Sequence, residues 1–175
     1  MRTLLLESLI RSPLTDQPPH VEKVTAKIGE KIRRTAYRRL GRSLSIREVD
    51  AGSCNACELE INALSNPYYD IERFGLRFVA SPRHADVLLA TGPVTKNMRE
   101  ALERTYEAMP APKWVVSAGD CARDGGCFAQ SYAVVGGVSA VLPVDLHIPG
   151  CPPCPLELLR GLLALLEAVN MPQRA

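Results

Sequence analysis

The sequence predicts an α/β protein built on a mostly parallel sheet with helices on both faces. Two observations carry that prediction. From residue 44 onward, short strand-like runs alternate with helical segments, and the central strand-like runs are apolar at consecutive positions rather than at alternate ones. Strands buried on both faces read that way, because helices cover each side of the sheet. At 175 residues, 46% apolar and 23% charged, the chain is long enough to bury a core and is neither disordered nor lipid-embedded in bulk.

The elements follow in chain order. A leucine-rich opening, Leu4-Leu5-Leu6, precedes a turn-prone stretch from Ser12 to Pro19. A basic segment then spans residues 23–42, along which Val24, Ile28, Ile32, Ala36 and Leu40 recur every four residues as one apolar helical stripe. Residues 1–43 are read as an N-terminal arm carrying this basic amphipathic helix. The stripe is narrow and lacks large aromatics, which favours docking on a partner protein over lying in a membrane surface.

Residues 44–170 are read as the α/β domain. Residues 44–49 alternate apolar and polar and predict a strand, followed by a cysteine-bearing turn and a helix near 57–65. Strands are predicted at 76–80 and 85–90. A helix at 96–109 has Thr95 as its cap and Pro110 and Pro112 to close it. Residues 113–118 and 141–148 complete the strands, and 155–169 form a last helix, apolar on nearly every face.

Several function classes are excluded by simple counts. A net charge of +2 is too small for a nucleic-acid binder, and 5% aromatics leave few stacking platforms. No apolar run approaches the roughly 20 residues of a spanning helix. Glu7 and Arg11 interrupt the N-terminal leucines before they reach secretory length, and Arg33-Arg34 lacks the apolar segment of an export leader. The expected setting is therefore the reducing cytoplasm, where six cysteines more often bind metal or do redox chemistry than form disulfides.

The cysteines fall in three pairs, Cys54 with Cys57, Cys121 with Cys127, and Cys151 with Cys154. Each pair lies just past the carboxyl end of a predicted strand. In an open parallel sheet those ends share one edge, which helix N-termini also face. Gly52, Gly119 and Gly150 stand ahead of the pairs, where glycine allows a tight turn and a close backbone approach. Four thiolates suit either tetrahedral zinc or an iron–sulfur cluster. Two C-x-x-C knuckles keep zinc open on spacing, while Cys151-Pro152 resembles a ferredoxin cluster loop and favours the cluster.

Several ordered motifs then resemble one known family. Gly52-Ser53-Cys54-Asn55-Ala56-Cys57-Glu58-Leu59-Glu60-Ile61 resembles the cluster-binding opening of nickel–iron hydrogenase small subunits. Thr91-Gly92-Pro93-Val94, Gly119-Asp120-Cys121, Tyr132-Ala133-Val134-Val135-Gly136-Gly137 and the run from Pro143 to Pro153 continue it, across roughly residues 44–168. The match is best to the 20-kDa subunit family shared by complex I and the membrane-bound, energy-converting hydrogenases of formate hydrogenlyase type. Complex I members carry two adjacent cysteines in the first motif; the spacing here favours the hydrogenase branch. Uptake hydrogenase small subunits carry a leader and a long C-terminal extension, which points this chain to the short, cytoplasm-facing branch.

The resemblance implies a flavodoxin-like domain with one [4Fe–4S] cluster, held by Cys54, Cys57, Cys121 and Cys151. Cys127 and Cys154 do not match the family's ligand positions and are read as small, partly buried residues near the cluster, with a regulatory disulfide or an altered ligand set as the sharper alternative. Glu58 and Glu60 suit a helix first turn; the resemblance also makes Glu58 a possible proton carrier. Asp120, Arg123 and Asp124 are read as solvated loop charges, and His20, His84 and His147 receive no role.

No nucleophile, general base or substrate pocket is evident, so catalysis by the chain alone is not expected. The implied role is electron relay between a ferredoxin-like iron–sulfur subunit and a large catalytic subunit, at the cytoplasmic face of a membrane complex and held there by partner subunits. The alternatives are the equivalent subunit of an NADH:quinone oxidoreductase-type complex and, below it, a zinc-stabilised interaction module.

Overall fold

The computed structural model describes residues 23–52 and 54–168. The leucine-rich opening, the turn-prone stretch and the end of the final helix lie outside the described residues.

Five strands form one parallel sheet: β1 (Leu44–Asp50), β2 (Leu76–Phe78), β3 (Val87–Thr91), β5 (Trp114–Ala118) and β7 (Leu146–Ile148). Their spatial order is β2-β1-β3-β5-β7, with registers such as Ile46 opposite Val87 and Val87 opposite Trp114. The chain steps from β1 outward to β2, then returns to the other side of β1 and continues across the sheet. That is the flavodoxin-like order, and its reversal between β1 and β3 opens a crevice at the carboxyl edge. Residues β4 (Val94–Thr95) and β6 (Val134–Gly136) form a separate antiparallel pair.

Helices cover both faces, as predicted. All five residues of β3 and all five of β5 are buried. Val87 and Leu89 point with Trp114 and Val116 into a core shared with α1 (Lys23–Leu40), α2 (Ala56–Ala63) and α5 (Pro155–Ala168). Leu88, Ala90 and Val115 point the other way, into a core with Leu102 of α3 (Lys96–Ala108) and Ala122 of the short α4 (Asp120–Asp124). Thr95 caps α3, its Oγ1 accepting from the Met98 N–H at 3.4 Å.

Helix α1 rests on the sheet domain. Ile32 and Ala36 of its stripe are fully buried in the first core, and Ile28 and Leu40 pack against it. Lys31 pairs with Glu167 of α5 at 2.7 Å, and Arg39 donates to the Glu167 carbonyl at 2.8 Å. The stripe therefore serves the chain's own core, and the outward basic face is what remains for a partner.

The predicted strand at 141–148 is corrected. Only Leu146–Ile148 is strand, after a 3-10 turn at Val138–Ala140. Pro143 has no N–H to give a ladder. The Asp145 N–H still donates to the Val115 carbonyl at 2.9 Å, but its carboxylate takes the Val115 N–H, at 2.7 Å, that an earlier strand carbonyl would accept. Strand β3 is Val87–Thr91. Asp86 just before it donates its N–H to the Ser45 carbonyl at 2.8 Å and its carbonyl accepts from the Trp114 N–H at 3.0 Å, while its buried carboxylate takes Arg42 and the Ser45 N–H. Among the described residues no helix is long and apolar enough to cross a membrane.

Candidate metal centre

Three strand ends deliver the cysteines to one place. Beyond β1, Asn55 takes a left-handed conformation (φ 72°) and turns the chain from Cys54 into α2, which carries Cys57. Beyond β5, Gly119 turns the chain into α4, which carries Cys121. Beyond β7 comes Gly150, then Cys151. Cys54, Cys57, Cys121 and Cys151 line a single cavity with Gly92, Gly150 and Pro152.

The loops are tied to one another. The Gly119 N–H donates to the Ile148 carbonyl at 2.9 Å, and the Asp120 N–H donates to the Gly150 carbonyl at 2.8 Å. In return the Gly150 N–H donates to Asp120 Oδ1 at 3.2 Å. Asp120 is thus a brace between the Cys121 and Cys151 turns rather than the solvated charge expected from sequence. Gly119 has a φ of 91°, and a Cβ there would stand 2.7 Å from Cys57 Sγ. Only glycine leaves that thiol its place against the turn.

The donor set fits a metal centre. Burial first, then Glu58, Cys54, Cys121 and Cys151, push the Cys57 thiol up to about 12. Burial and the neighbouring Cys127, Cys151 and Cys54 raise Cys121 as well. Every group acting on Cys57 opposes its ionisation, and none is a cation. A cationic metal core in the cavity would offset that cost and hold the sulfurs as thiolates. Yet among the described residues no three His, Cys, Asp or Glu side chains converge on one ion-sized point. A single zinc needs four sulfurs about 2.3 Å from one centre. Four cysteines lining one cavity are a donor set that suits zinc or an iron–sulfur cluster.

Sequence reasoning missed part of the surroundings. Glu58 is 8% exposed, and neither carboxylate oxygen has a hydrogen-bond partner among the described residues. It stands in the first turn of α2, as expected, and is buried there next to Cys57. Glu48 on β1 joins it: burial, then Glu58 and Asp50, raise its carboxyl to about 7, with Arg47 opposing. His147, to which no role was given, meets Ser117 Oγ through Nδ1 at 2.9 Å, and its buried Nε2 is unpartnered among the described residues. Burial and then Arg123 hold His147 below the usual imidazole range. These contacts cross between strands, so no local pattern announces them. Cys127 and Cys154 are exposed.

Residues 54–165 match the family model described as NADH ubiquinone oxidoreductase, 20 Kd subunit. Formate hydrogenlyase subunit 7 of Escherichia coli (strain K12) is 45% identical over 150 residues, covering 84% of this chain. The chain spans 56% of that relative's length. The probable membrane-bound hydrogenase subunit mbhJ of Pyrococcus furiosus is 45% identical over 128 residues, covering 73% of this chain and 77% of that protein. A chain from the membrane-bound sulfane sulfur reductase, an archaeal respiratory membrane complex, superposes with a TM-score of 0.65 at 34% identity, over 78% of this chain and 74% of that one.

Proposed function

The chain belongs to the NADH ubiquinone oxidoreductase 20 Kd subunit family, and from that premise we propose that it is the electron-transfer subunit of a membrane-bound nickel–iron hydrogenase-type complex. One observation carries the reading: four cysteines from three strand ends line one cavity at the sheet's carboxyl edge. Cys54, Cys57, Cys121 and Cys151 would hold a [4Fe–4S] cluster there. When bound, such a cluster takes up and gives back one electron at a time.

The chain's residues do the rest. The Asp120–Gly150 exchange holds two of the cysteine turns in register, and Gly119 keeps the backbone close against Cys57. The buried Glu58 and Glu48 put acid groups behind the site, where Glu58 would accept and release a proton. Relay would run from a ferredoxin-like subunit to a large catalytic subunit, with this chain peripheral at the cytoplasmic face. The N-terminal arm, residues 1–43, would meet a partner subunit through its basic face.

The family description favours a second reading, the equivalent subunit of a quinone-reducing assembly. Nickel in the co-purifying large subunit separates the two. For the cluster itself, iron and acid-labile sulfide are measured on this chain purified anaerobically and free of its partner subunits, with a paramagnetic spectrum after reduction. The expected result is about four of each per chain, lost in Cys121→Ser. Stoichiometric zinc with no iron or sulfide would overturn the electron-relay function.

A further inference from the structure

Two cysteines stand outside the four-cysteine cavity. The backbone of Cys154 caps α5: its N–H donates to Glu157 Oε2 at 2.9 Å, and its carbonyl accepts from the Leu158 N–H at 3.0 Å. Cys127 is placed differently. The chain leaves α4 through Gly125 and Gly126, with φ of 94° and 50°, and doubles back over Cys121. A Cβ on Gly126 would lie 2.8 Å from Cys121 Sγ and 3.2 Å from Cys121 Cα. A 3-10 turn, Gly126–Phe128, follows at once and carries Cys127. Of the side chains around the Cys121 thiol, Cys127 acts on it most strongly.

We infer that Cys121 and Cys127 form a redox-active dithiol that closes to a disulfide when Cys121 carries no metal, withdrawing one of the cavity's four thiols. Cys127 is exposed and Cys121 half-buried, so an oxidant reaches the pair from the Cys127 side. The oxidant is a low-molecular-weight disulfide, RSSR. Cys127 gives up its proton and its sulfur attacks RSSR; the R–S–S–R bond breaks and the first thiolate leaves. Cys121 gives up its proton and attacks the Cys127 sulfur of the mixed disulfide, and the second thiolate leaves. Two electrons pass from the protein thiols to RSSR, which ends as two RSH carrying the two protons. A disulfide is reversible, whereas an idle thiol open to stronger oxidants climbs to sulfinic and sulfonic acids.

The pairing needs only the two thiols; its effect on loading rests on the function proposed above. The full chain, stripped of iron, is incubated with oxidised glutathione, alkylated in denaturant and cut with trypsin. Cleavage after Lys113, Arg123 and Arg160 places Cys121 in peptide 114–123 and Cys127 in peptide 124–160. The expected product is a disulfide-linked pair of these peptides, lost in Cys127→Ser and kept in Cys154→Ser. No link, or a link that persists in Cys127→Ser, overturns the inference.

Iron and sulfide are then supplied to oxidised and to thiol-reduced samples. Loading is expected only after reduction in the parent chain, and without need of reduction in Cys127→Ser. Equal loading of linked and reduced parent chain overturns the withdrawal of Cys121. A linked chain that takes up no iron even once reduced upholds the pairing and counts against the proposed function instead.

Discussion

Glu48 has the most direct thermodynamic consequence of any single residue. Its carboxyl is raised from 4.5 to about 7, by burial first and then by Glu58 and Asp50. The folded chain therefore holds this proton more tightly than the unfolded chain does. Stability associated with it is fully present below 4.5 and is lost as pH rises through about 7. Above that, the folded state carries an ionised acid beside the buried Glu58. Glu48→Gln keeps the shape and removes the ionisation. It should leave the urea midpoint nearly unchanged at about pH 4 and raise it at about pH 8, with the gap opening in between. A gap that stays constant across that range would show that Glu48 is not held protonated. Asp120 shows the same contrast between sequence and environment. Alone it reads as a loop charge, yet its backbone and carboxylate both bind Gly150 and so align two cysteine turns.

Elements differ in how much of them was legible. Strand β1 was readable because one end of it alternates, and β5 because Trp114, Val115 and Val116 form an apolar run. Strand order brought the three cysteine-bearing turns together, since parallel strands present their carboxyl ends on one edge. It did not separate Cys127 and Cys154 from the other four; that choice came from the family resemblance. The β4–β6 pair was not readable: two- and three-residue strands have no period, and their pairing is set by distant contacts. The 141–148 run misled because its apolar residues read as one strand, whereas Pro143 lacks an N–H and the Asp145 carboxylate takes the Val115 N–H that a strand carbonyl would accept. Helix α1 was legible as a helix, but its stripe did not say what it covers. The structure places Ile32 fully buried against α5 and the sheet. Ile32→Ala should then destabilise the whole domain by about 2–5 kcal/mol, in one cooperative transition. The measurement is a denaturant melt followed by Trp114 fluorescence, since Trp114 belongs to the same core. An unchanged Trp114 midpoint would show that the helix is a separable arm.

For the molecule as a whole, the question is whether the proposed metal centre would hold the fold or the fold would hold the centre. Small zinc domains are unfolded without metal because they lack another core. Here the two cores lie on opposite faces of the sheet, and both are built from buried apolar side chains. The cavity sits at the sheet's edge, on turns tied by backbone hydrogen bonds such as Gly119 to Ile148 and Asp120 to Gly150. Those bonds do not require a metal. Chelating the metal from reduced protein should therefore leave far-UV circular dichroism nearly unchanged. Amide exchange should stay slow in β1, β3 and β5, because opening them requires breaking both cores. Faster exchange should be confined to residues 54–57, 119–128 and 150–154, the turns that carry the four cysteines lining the cavity. Loss of protection across the central strands on chelation would mean that the centre organises the sheet, reversing the order of cause argued from the cores.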